Sequence, residues 1–204
     1  SFDTLLACLI GSIVAIVLVK GLFGGIGRNF ANPAITARIV MLVSFASTMT
    51  NFATSADATS SATPLAQIGT DAMPSLLDLF LGKYGGSLGE TCSLALLIGF
   101  VYLLVRKVIT WHTTVVFVGT VALFTLCLGE NPIHHVLSGG LLLGAIFMAT
   151  DYSTTPSTKW GKVIFGLGCG IITVLIRVFG GYPEGVSYAI LLMNILPPYI
   201  SMWT

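Results

Sequence analysis

The feature that most constrains this chain is a succession of long apolar runs, separated by glycine, proline and short clusters of charge. The chain is 55% hydrophobic and only 8% charged, with a mean hydropathy of +0.95. Soluble domains carry about 25% charged residues, so a soluble fold of this composition could not cover its apolar surface with polar groups. The sequence therefore predicts an all-α integral membrane protein, built as a polytopic helix bundle.

Seven of the apolar runs are candidate membrane segments. They lie at about residues 4–20, 34–53, 91–105, 113–129, 135–150, 163–180 and 186–200. A straight span needs roughly 20 residues, and several of these runs hold fewer. Short runs flanked by glycine and proline are typical of transporter folds whose helices break near the membrane midplane. Ordinary short helices with polar ends would give the same pattern.

Charges in the connecting loops predict how the segments are oriented. Basic residues collect in alternate loops, namely Lys20, Arg28, Arg106, Lys107, Lys159 and Lys162. The other loops hold Lys83 and most of the acidic residues, namely Asp57, Asp71, Asp78, Glu90, Glu130 and Glu184. Because cytoplasmic loops are enriched in lysine and arginine, we expect the basic loops and the C-terminus to be cytoplasmic. Arg38 falls one turn into the second segment on that side, and the long polar loop at 54–90 lies outside.

We expect residues 1–204 to form one transmembrane domain, the C-terminal part of a longer chain, because the sequence opens on Ser1 and enters an apolar run almost at once. The net charge is +1 and no basic run is present, which excludes a nucleic-acid-binding surface. Gly24, Gly25 and Gly27 lie between two membrane segments, so a tight turn explains them better than a dinucleotide-binding motif.

The cysteines indicate no shared site. They are Cys8, Cys92, Cys127 and Cys169. All are more than thirty residues apart, and each lies in or beside an apolar run. This spacing favours small buried apolar side chains over a metal or iron–sulfur centre.

One motif in the 54–90 loop points to a cofactor. The sequence Asp57-Ala58-Thr59-Ser60-Ser61-Ala62-Thr63 resembles the flavinylation signal Asp-x-x-(Ser/Thr)-(Gly/Ser)-Ala-Thr. In proteins with that signal, a flavin transferase moves FMN from FAD onto the last threonine through a phosphoester bond. The resemblance implies covalent FMN on Thr63, with Asp57, Ser60, Ser61 and Ala62 as the recognition motif. Many members have glycine where this chain has Ser61, and a polar linker that matches by chance is the alternative.

Other stretches are similar to one family. They are residues 24–34, 147–151 and 180–185. The family is the membrane protein shared by two ion-pumping redox complexes. It is the D subunit (RnfD) of the Rnf complex, a ferredoxin:NAD oxidoreductase, and the B subunit of the sodium-translocating NADH:quinone oxidoreductase. Residues 161–197 resemble the Rnf protein more closely, and residues 201–204 do not look family-like.

The resemblance implies a fold, a function and partners. The fold would have about ten spans in two inverted halves, similar to urea transporters, with about seven in this chain. The chain would carry electrons in a redox-driven sodium or proton translocase of a bacterial or archaeal plasma membrane, and would not be catalytic alone. Its partners would be other membrane and peripheral Rnf subunits, among them a second covalent-FMN subunit and iron–sulfur subunits, together with the flavin transferase and the lipid bilayer.

A second flavin, riboflavin, is also implied near the cytoplasmic side. Asn29 and Asn32 match the paired asparagines of the family motif Gly-Arg-Asn-x-x-Asn-Pro, and Asp151 matches a Thr-Asp motif. Arg28 in the first motif is a further candidate. Asparagines three apart share a helix face, and amides and carboxylates can pair with a flavin ring edge. Alternatively, the asparagines cap a helix and Asp151 is a loop charge.

Two polar features near the predicted outer face have more than one interpretation. Glu130, His134 and His135 can form an ion-passage or metal site, although an exposed polar turn fits them better. Arg177 lies inside an apolar run, where charge is costly. It can snorkel to the surface or hold a flavin phosphate.

Two other classes of function fit the same chain. One is a channel or solute transporter without flavin, which covalent flavin fluorescence would exclude. The other is a scaffold that anchors flavin subunits, which flavin midpoint potentials insensitive to sodium would favour.

Overall fold

The computed structural model describes residues 2–25, 27–46, 49, 52–53, 60–61, 65, 68, 73–84, 86, 89–180 and 185–204. Most of these residues are helical. In chain order the helices are α1 (Phe2–Ile13), continued by a π-helix (Val14–Gly21), α2 (Pro33–Ser44), α3 (Leu76–Leu81), α4 (Ser93–Val105), α5 (Trp111–Cys127), α6 (Pro132–Leu137), α7 (Leu141–Leu143), continued by a second π-helix (Gly144–Met148), α8 (Lys159–Phe179), α9 (Gly185–Met193) and α10 (Pro197–Trp203). Two short strands, β1 (Phe52–Ala53) and β2 (Ser60–Ser61), pair antiparallel.

The helices agree with the predicted membrane bundle, but few of them are long. Within the described ranges, α8 is the one unbroken helix that is long and apolar enough to cross a membrane. Helices α9 and α10 pass the same test together, with a bend of 56° between them. The segment Leu5–Gly21 and helices α2, α4 and α5 are apolar but hold only 10–17 residues. The number of spans therefore stays a prediction.

The predicted second segment and the polar loop after it both differ from the structure. The segment 34–53 is not one continuous helix: α2 ends at Ser44, Ala46 and Met49 are again helical, and Phe52–Ala53 form β1. The loop 54–90 is not polar throughout, because α3 is apolar and packs against α4 and α6. Leu79 of α3 is completely buried. The apolar character of α3 is visible in its sequence, Leu-Leu-Asp-Leu-Phe-Leu. Six residues, however, are too few to predict a membrane segment.

Two predicted segments are broken helices. In 135–150, α6 ends at Leu137 and α7 begins at Leu141, with Gly139 between them at a φ of +67°. This backbone conformation favours glycine. In 186–200, α9 and α10 meet at the bend before Pro197. These two segments are therefore broken helices and not single short helices.

The most extensive helix contact in the bundle joins α5 and α8. A Cβ on Gly166 would lie 2.8 Å from the Thr113 carbonyl oxygen, and one on Gly170 would lie 2.6 Å from the Thr120 Cβ. Small residues four apart allow two membrane helices to approach this closely. The apolar core beside this contact contains Phe117, Val121, Phe165, Cys169 and Val174.

Cysteine burial matches the sequence prediction only in part. Cys169 is buried in the core, as expected of an apolar cysteine, whereas Cys8 and Cys127 are exposed and Cys92 is partly buried. Large apolar side chains also cover the outside of the bundle. Leu5, with 72% of its surface exposed, is typical. Such a surface is suited to lipid or to other membrane segments rather than to water.

Candidate cofactor sites and a buried ion pair

Asn32 caps the start of α2. Its side-chain oxygen accepts hydrogen bonds from the backbone N–H groups of Ala34, at 3.0 Å, and Ile35, at 3.3 Å. Pro33 follows as the first helical residue, where its lack of an N–H costs nothing. Asn32 is only 8% exposed. The capping interpretation is therefore confirmed for Asn32, whose side-chain oxygen is already engaged.

Asn194, the residue after α9, forms a hydrogen bond with the start of α2. With the Asn194 amide oriented to suit its neighbours, the backbone N–H of Asn32 donates to its oxygen at 3.1 Å. The Asn194 nitrogen then donates to the carbonyl oxygen of Thr154 at 3.3 Å. The first turn of α2 is therefore held against the loop that contains Asp151.

Asn29 and Asp151 are brought together through one serine. The Asn29 amide donates to Ser153 Oγ at 3.2 Å, across 124 positions of sequence. Ser153 Oγ donates to Asp151 Oδ2 at 2.9 Å, and Thr154 Oγ1 donates to the same oxygen at 3.2 Å. Asp151 is therefore part of a polar network and not an isolated loop charge. Within the described chain, Oδ1 of Asn29 and Oδ1 of Asp151 accept no hydrogen bond.

Aromatic rings and a glycine turn lie beside this network. Phe23 and Phe30 pack with ring centroids 4.7 Å apart, and Phe30 remains 48% exposed. Gly24, Gly25 and Gly27 have φ values of +100°, +91° and +82°, which confirms the predicted tight turn. A longer side chain at Gly27 would approach the exposed ring of Tyr152. Arg28 is exposed on the same turn, and the structure gives its guanidinium no ion-pair partner in the described chain.

The chain leading into Asp151 has an unusual helical geometry. The π-helix Gly144–Met148 ends with the Ala149 N–H bonded to the Gly144 carbonyl oxygen, five residues back, at 2.7 Å. The Thr150 hydroxyl then returns to the Ile146 carbonyl oxygen at 2.6 Å. Short π segments inside helices are frequent at functional sites, and this one leads directly into the loop that contains Asp151.

The predicted FMN acceptor, Thr63, lies outside the described residues, but short described stretches lie on both sides of it. Asp57, Ala62 and Thr63 lie outside the described residues. Before them, Ser60 and Ser61 form β2, with Ser61 opposite Phe52. After them, Leu65 is buried and packs so closely on Gly139 that a Cβ there would overlap its side chain. Of these described neighbours, β2 pairs with β1, whereas Leu65 packs against the bundle.

Arg177 caps the C-terminal end of α6. Its guanidinium donates to the carbonyl oxygens of His135, at 2.6 Å, and Ser138, at 3.5 Å. These carbonyls belong to the C-terminal end of α6, where a cation is favourable. Arg177 also lies beside Gly139, the residue on which Leu65 packs. Capping α6 is a role that the sequence interpretation did not include, and the flavin-phosphate role stays a prediction.

The turn before α6 is less exposed than predicted. His135 Nε2 lies 2.7 Å from Glu130 Oε2, and His135 is only 4% exposed. Asn131 caps the helix by accepting from the Ile133 N–H at 3.1 Å. The exposed-turn interpretation is therefore wrong for His135, because its side chain is buried and contacts Glu130.

A buried ion pair was not predicted. Arg38 of α2 lies 3.5 Å from Glu90, whose side chain is only 2% exposed. The charge pattern of the loops predicts Arg38 at the cytoplasmic end of its segment and Glu90 in the outer loop. Helices α2 and α4 hold 12 and 13 residues, roughly 18–20 Å each. They are too short to separate the two charges by a hydrocarbon core of about 30 Å.

The surroundings of Glu90 are closely packed. A Cβ on Gly140 would lie 3.1 Å from Glu90 Oε2, so the carboxylate lies against the break between α6 and α7. Tyr84, in the loop after α3, is also close. Burial, together with the negative charge of Glu90, raises the pKa of Tyr84 to about 12, so the phenol keeps its proton at physiological pH.

These features define a class: a helical membrane protein with broken helices, a polar cluster at one end of the bundle and a charge pair inside it. The chain belongs to the NQR2, RnfD, RnfE family, whose model matches residues 4–204.

The curated relatives have closely related names. The D subunit of the Na(+)-translocating ferredoxin:NAD(+) oxidoreductase complex of Acetobacterium woodii is 48% identical over 202 residues, which cover 96% of this chain and 64% of that protein. The D subunit of the proton-translocating ferredoxin:NAD(+) oxidoreductase complex of Clostridium ljungdahlii is 42% identical over 217 residues, covering 96% and 66%. The D subunit of the ion-translocating oxidoreductase complex of Stutzerimonas stutzeri is 38% identical over 233 residues, covering 93% and 66%. The chain thus spans just under two thirds of these relatives.

Proposed function

We propose that this chain is the membrane flavoprotein subunit of an ion-translocating ferredoxin:NAD oxidoreductase complex. The observation that carries the proposal is the identity of 48% over 202 residues with the relative from Acetobacterium woodii. The chain takes part in electron transport through covalent FMN on Thr63 and non-covalent riboflavin, coupled to sodium or proton transport. One related protein is named for sodium and another for protons, so the coupling ion follows from neither name.

The proposal includes the surroundings of the chain. The chain forms about seven spans of a roughly ten-span, inverted-repeat, urea-transporter-like fold in a bacterial or archaeal plasma membrane. The Thr63 loop faces outside, and the C-terminus is cytoplasmic. Its partners are the other Rnf subunits, including a second covalent-FMN subunit and iron–sulfur subunits, and the flavin transferase acts on the Thr63 loop. The broken helix between α6 and α7 supports a transporter-type architecture.

Covalent FMN is supported by the motif at 57–63 and by the packing of the nearby Leu65 on the bundle. FMN would supply one- and two-electron redox chemistry, while the protein sets its position. The Thr63 hydroxyl would carry the phosphoester bond. Leu65, two residues after Thr63, packs on Gly139, and this limits how far from the bundle a group on Thr63 would lie.

Substitution of Thr63 by alanine tests this proposal directly. Wild-type protein coexpressed with a flavin transferase is expected to give a fluorescent band in a denaturing gel, and T63A is expected to give none, because the acceptor hydroxyl is gone. Thr70→Ala, in the same loop but outside the motif, serves as the control and should keep full fluorescence. A wild-type band without fluorescence, or an undiminished T63A band, would contradict the proposal.

The riboflavin site is supported by unused acceptors and exposed rings. Oδ1 of Asn29 and Oδ1 of Asp151 are available to a flavin N–H, and Phe30 and Tyr152 offer ring faces for stacking. Asn32 has a structural role in this proposed site, because its side-chain oxygen already caps α2. It holds the site in place and does not contact the ring edge through that oxygen.

The second test uses the T63A background, in which any remaining flavin is non-covalent. Asp151→Asn is expected to weaken riboflavin binding about tenfold or more, because a hydrogen bond to a charged group contributes roughly 1.5–3 kcal/mol. Asn29→Ala removes a neutral acceptor and is expected to weaken binding roughly two- to tenfold, because a neutral hydrogen bond contributes roughly 0.5–1.5 kcal/mol. The measurement is the flavin released per protein on denaturation, after equilibration with riboflavin. Ser12→Ala is the control, since its hydroxyl bonds only within α1. Full retention of flavin by both variants would exclude this site while leaving the Thr63 result unaffected.

A further inference from the structure

A cavity next to the candidate riboflavin site, with Tyr152 in its lining, has the character of an anion site. Its volume is about 320 Å³, and it lies between the α4–α5 connection, the loop before α8 and the first turn of α8. Its polar lining consists of Thr110, Thr113, Thr150, Tyr152, Thr155, Ser157 and Lys162. None of the described residues that line it is acidic. The volume is at the lower end of the range of about 300–1,000 Å³ for small-molecule sites.

The strongest evidence for a ligand is one buried hydroxyl. Thr113 is only 1% exposed and lines the cavity, yet its hydroxyl makes no hydrogen bond within the described chain. The adjacent Thr114 bonds to the Ala145 carbonyl oxygen at 2.9 Å, and Thr155 bonds to the Ala149 carbonyl oxygen at 2.8 Å. Because the described chain gives the Thr113 hydroxyl no hydrogen-bond partner, this hydroxyl is available to a ligand that enters the cavity.

The start of α5 adds further donors on the same wall. Thr110 is in the N-cap position of this 17-residue helix, but its side chain makes no capping hydrogen bond. The first-turn N–H groups of α5 are therefore without a side-chain partner, and the positive end of the helix dipole lies at the cavity. Such a helix start favours phosphate and other anions.

Lys162 supplies a positive charge in the lining of the cavity. It lies in the first turn of α8 and lines the cavity, and no ion pair engages it in the described chain. The nearest acidic side chain along the lining loop is Asp151, which accepts hydrogen bonds from Ser153 and Thr154. The apolar part of the wall, Val108, Ile109 and Pro156, suits an ester substituent.

We propose that this cavity binds the phosphate group of a phosphate ester. Lys162 pairs with its charge, and the Thr113 hydroxyl and the first-turn N–H groups of α5 donate to its oxygens. The same chemistry is offered by the headgroup of an anionic phospholipid and by a soluble phosphate ester. The cavity lies at the end of the bundle that the charge pattern assigns to the cytoplasm. The proposal does not depend on flavin at either site.

Two binding measurements on the full-length protein distinguish these sources. In the first, detergent-solubilised protein is titrated with inorganic phosphate and with glycerol 3-phosphate by calorimetry. In the second, native mass spectrometry counts lipids retained from nanodiscs of phosphatidylglycerol mixed with phosphatidylcholine. Binding in the first identifies a soluble ligand, and selective retention of phosphatidylglycerol in the second identifies a lipid. Either result supports the proposal if it depends on the cavity.

Dependence on the cavity is tested by two variants and a matched control. Lys162→Gln and Thr113→Val are each expected to lower the affinity, or the lipid retention, about tenfold. Lys159→Gln makes the same charge change one turn earlier on α8, outside the lining, and should bind as wild type. An unchanged thermal midpoint for T113V verifies folding. Absence of binding in both measurements, or equal binding by K162Q, T113V and K159Q, overturns the proposal.

Discussion

Replacement of Glu90 by glutamine is expected to lower the free energy of unfolding by roughly 3–5 kcal/mol, the usual cost of removing one partner of a buried ion pair. The amide keeps the shape of the side chain but removes the negative charge that lies beside the Arg38 guanidinium inside the bundle. Arginine does not release its proton under these conditions, so its charge cannot be removed by titration. The measurement is chemical unfolding in detergent, at a pH near 7.

A matched substitution and a double variant make this test specific. Glu130→Gln changes a carboxyl group with 37% of its side chain exposed, and we expect a loss of less than about 1 kcal/mol. Arg38→Met combined with Glu90→Leu removes both charges, and it should recover much of the stability that each single change loses. If E90Q unfolds within about 0.5 kcal/mol of wild type, the pair has no structural role.

Substitution of Gly170 by valine is expected to separate α5 from α8. The added side chain would overlap Thr120 Cβ and approach the Phe117 carbonyl oxygen, for which the Cβ distances are 2.6 and 3.2 Å. The backbone oxygen cannot rotate away, so the helices must move apart. Overpacking of this kind costs roughly 1–3 kcal/mol. Because this contact is the most extensive in the bundle, a lower yield of folded protein should accompany the lower thermal midpoint.

Gly119→Ala is the control for that substitution. A Cβ on Gly119 would meet no atom of the described residues within 4 Å. It lies on α5, the partner of α8, where alanine favours the helix by up to about 1 kcal/mol over glycine. We expect G119A to be at least as stable as wild type. Equal losses in G119A and G170V would mean that the α5–α8 distance does not limit stability.

The sequence predicted features that depend on local pattern. Apolar runs located most of the helices, and the Asn32-Pro33 pair gave the start of α2. The glycine turn at 24–27 followed from backbone freedom. Family membership followed from motifs that few other sequences combine, and not from hydropathy.

Other features depend on how deeply each segment enters the bundle, which hydropathy does not specify. The contact between Arg38 and Glu90 follows from the short reach of α2 and α4. Ser153 bridges Asn29 and Asp151, but nothing in its immediate sequence distinguishes it from an ordinary loop serine. The open cavity beside Thr113 exists only once α5 and α8 are packed together.

The shortness of α2 and α4 has a consequence for voltage. Membrane spans of about 18–20 Å would leave a thinner insulating layer than the usual hydrocarbon core of about 30 Å. Moving one elementary charge through 100 mV involves about 2.3 kcal/mol whatever the thickness, so a thinner layer gives a steeper field. If α2 and α4 are spans, as the sequence predicts, the Arg38–Glu90 dipole lies within this layer, and we expect its orientation to respond to the membrane potential more strongly than it would in a full-length span.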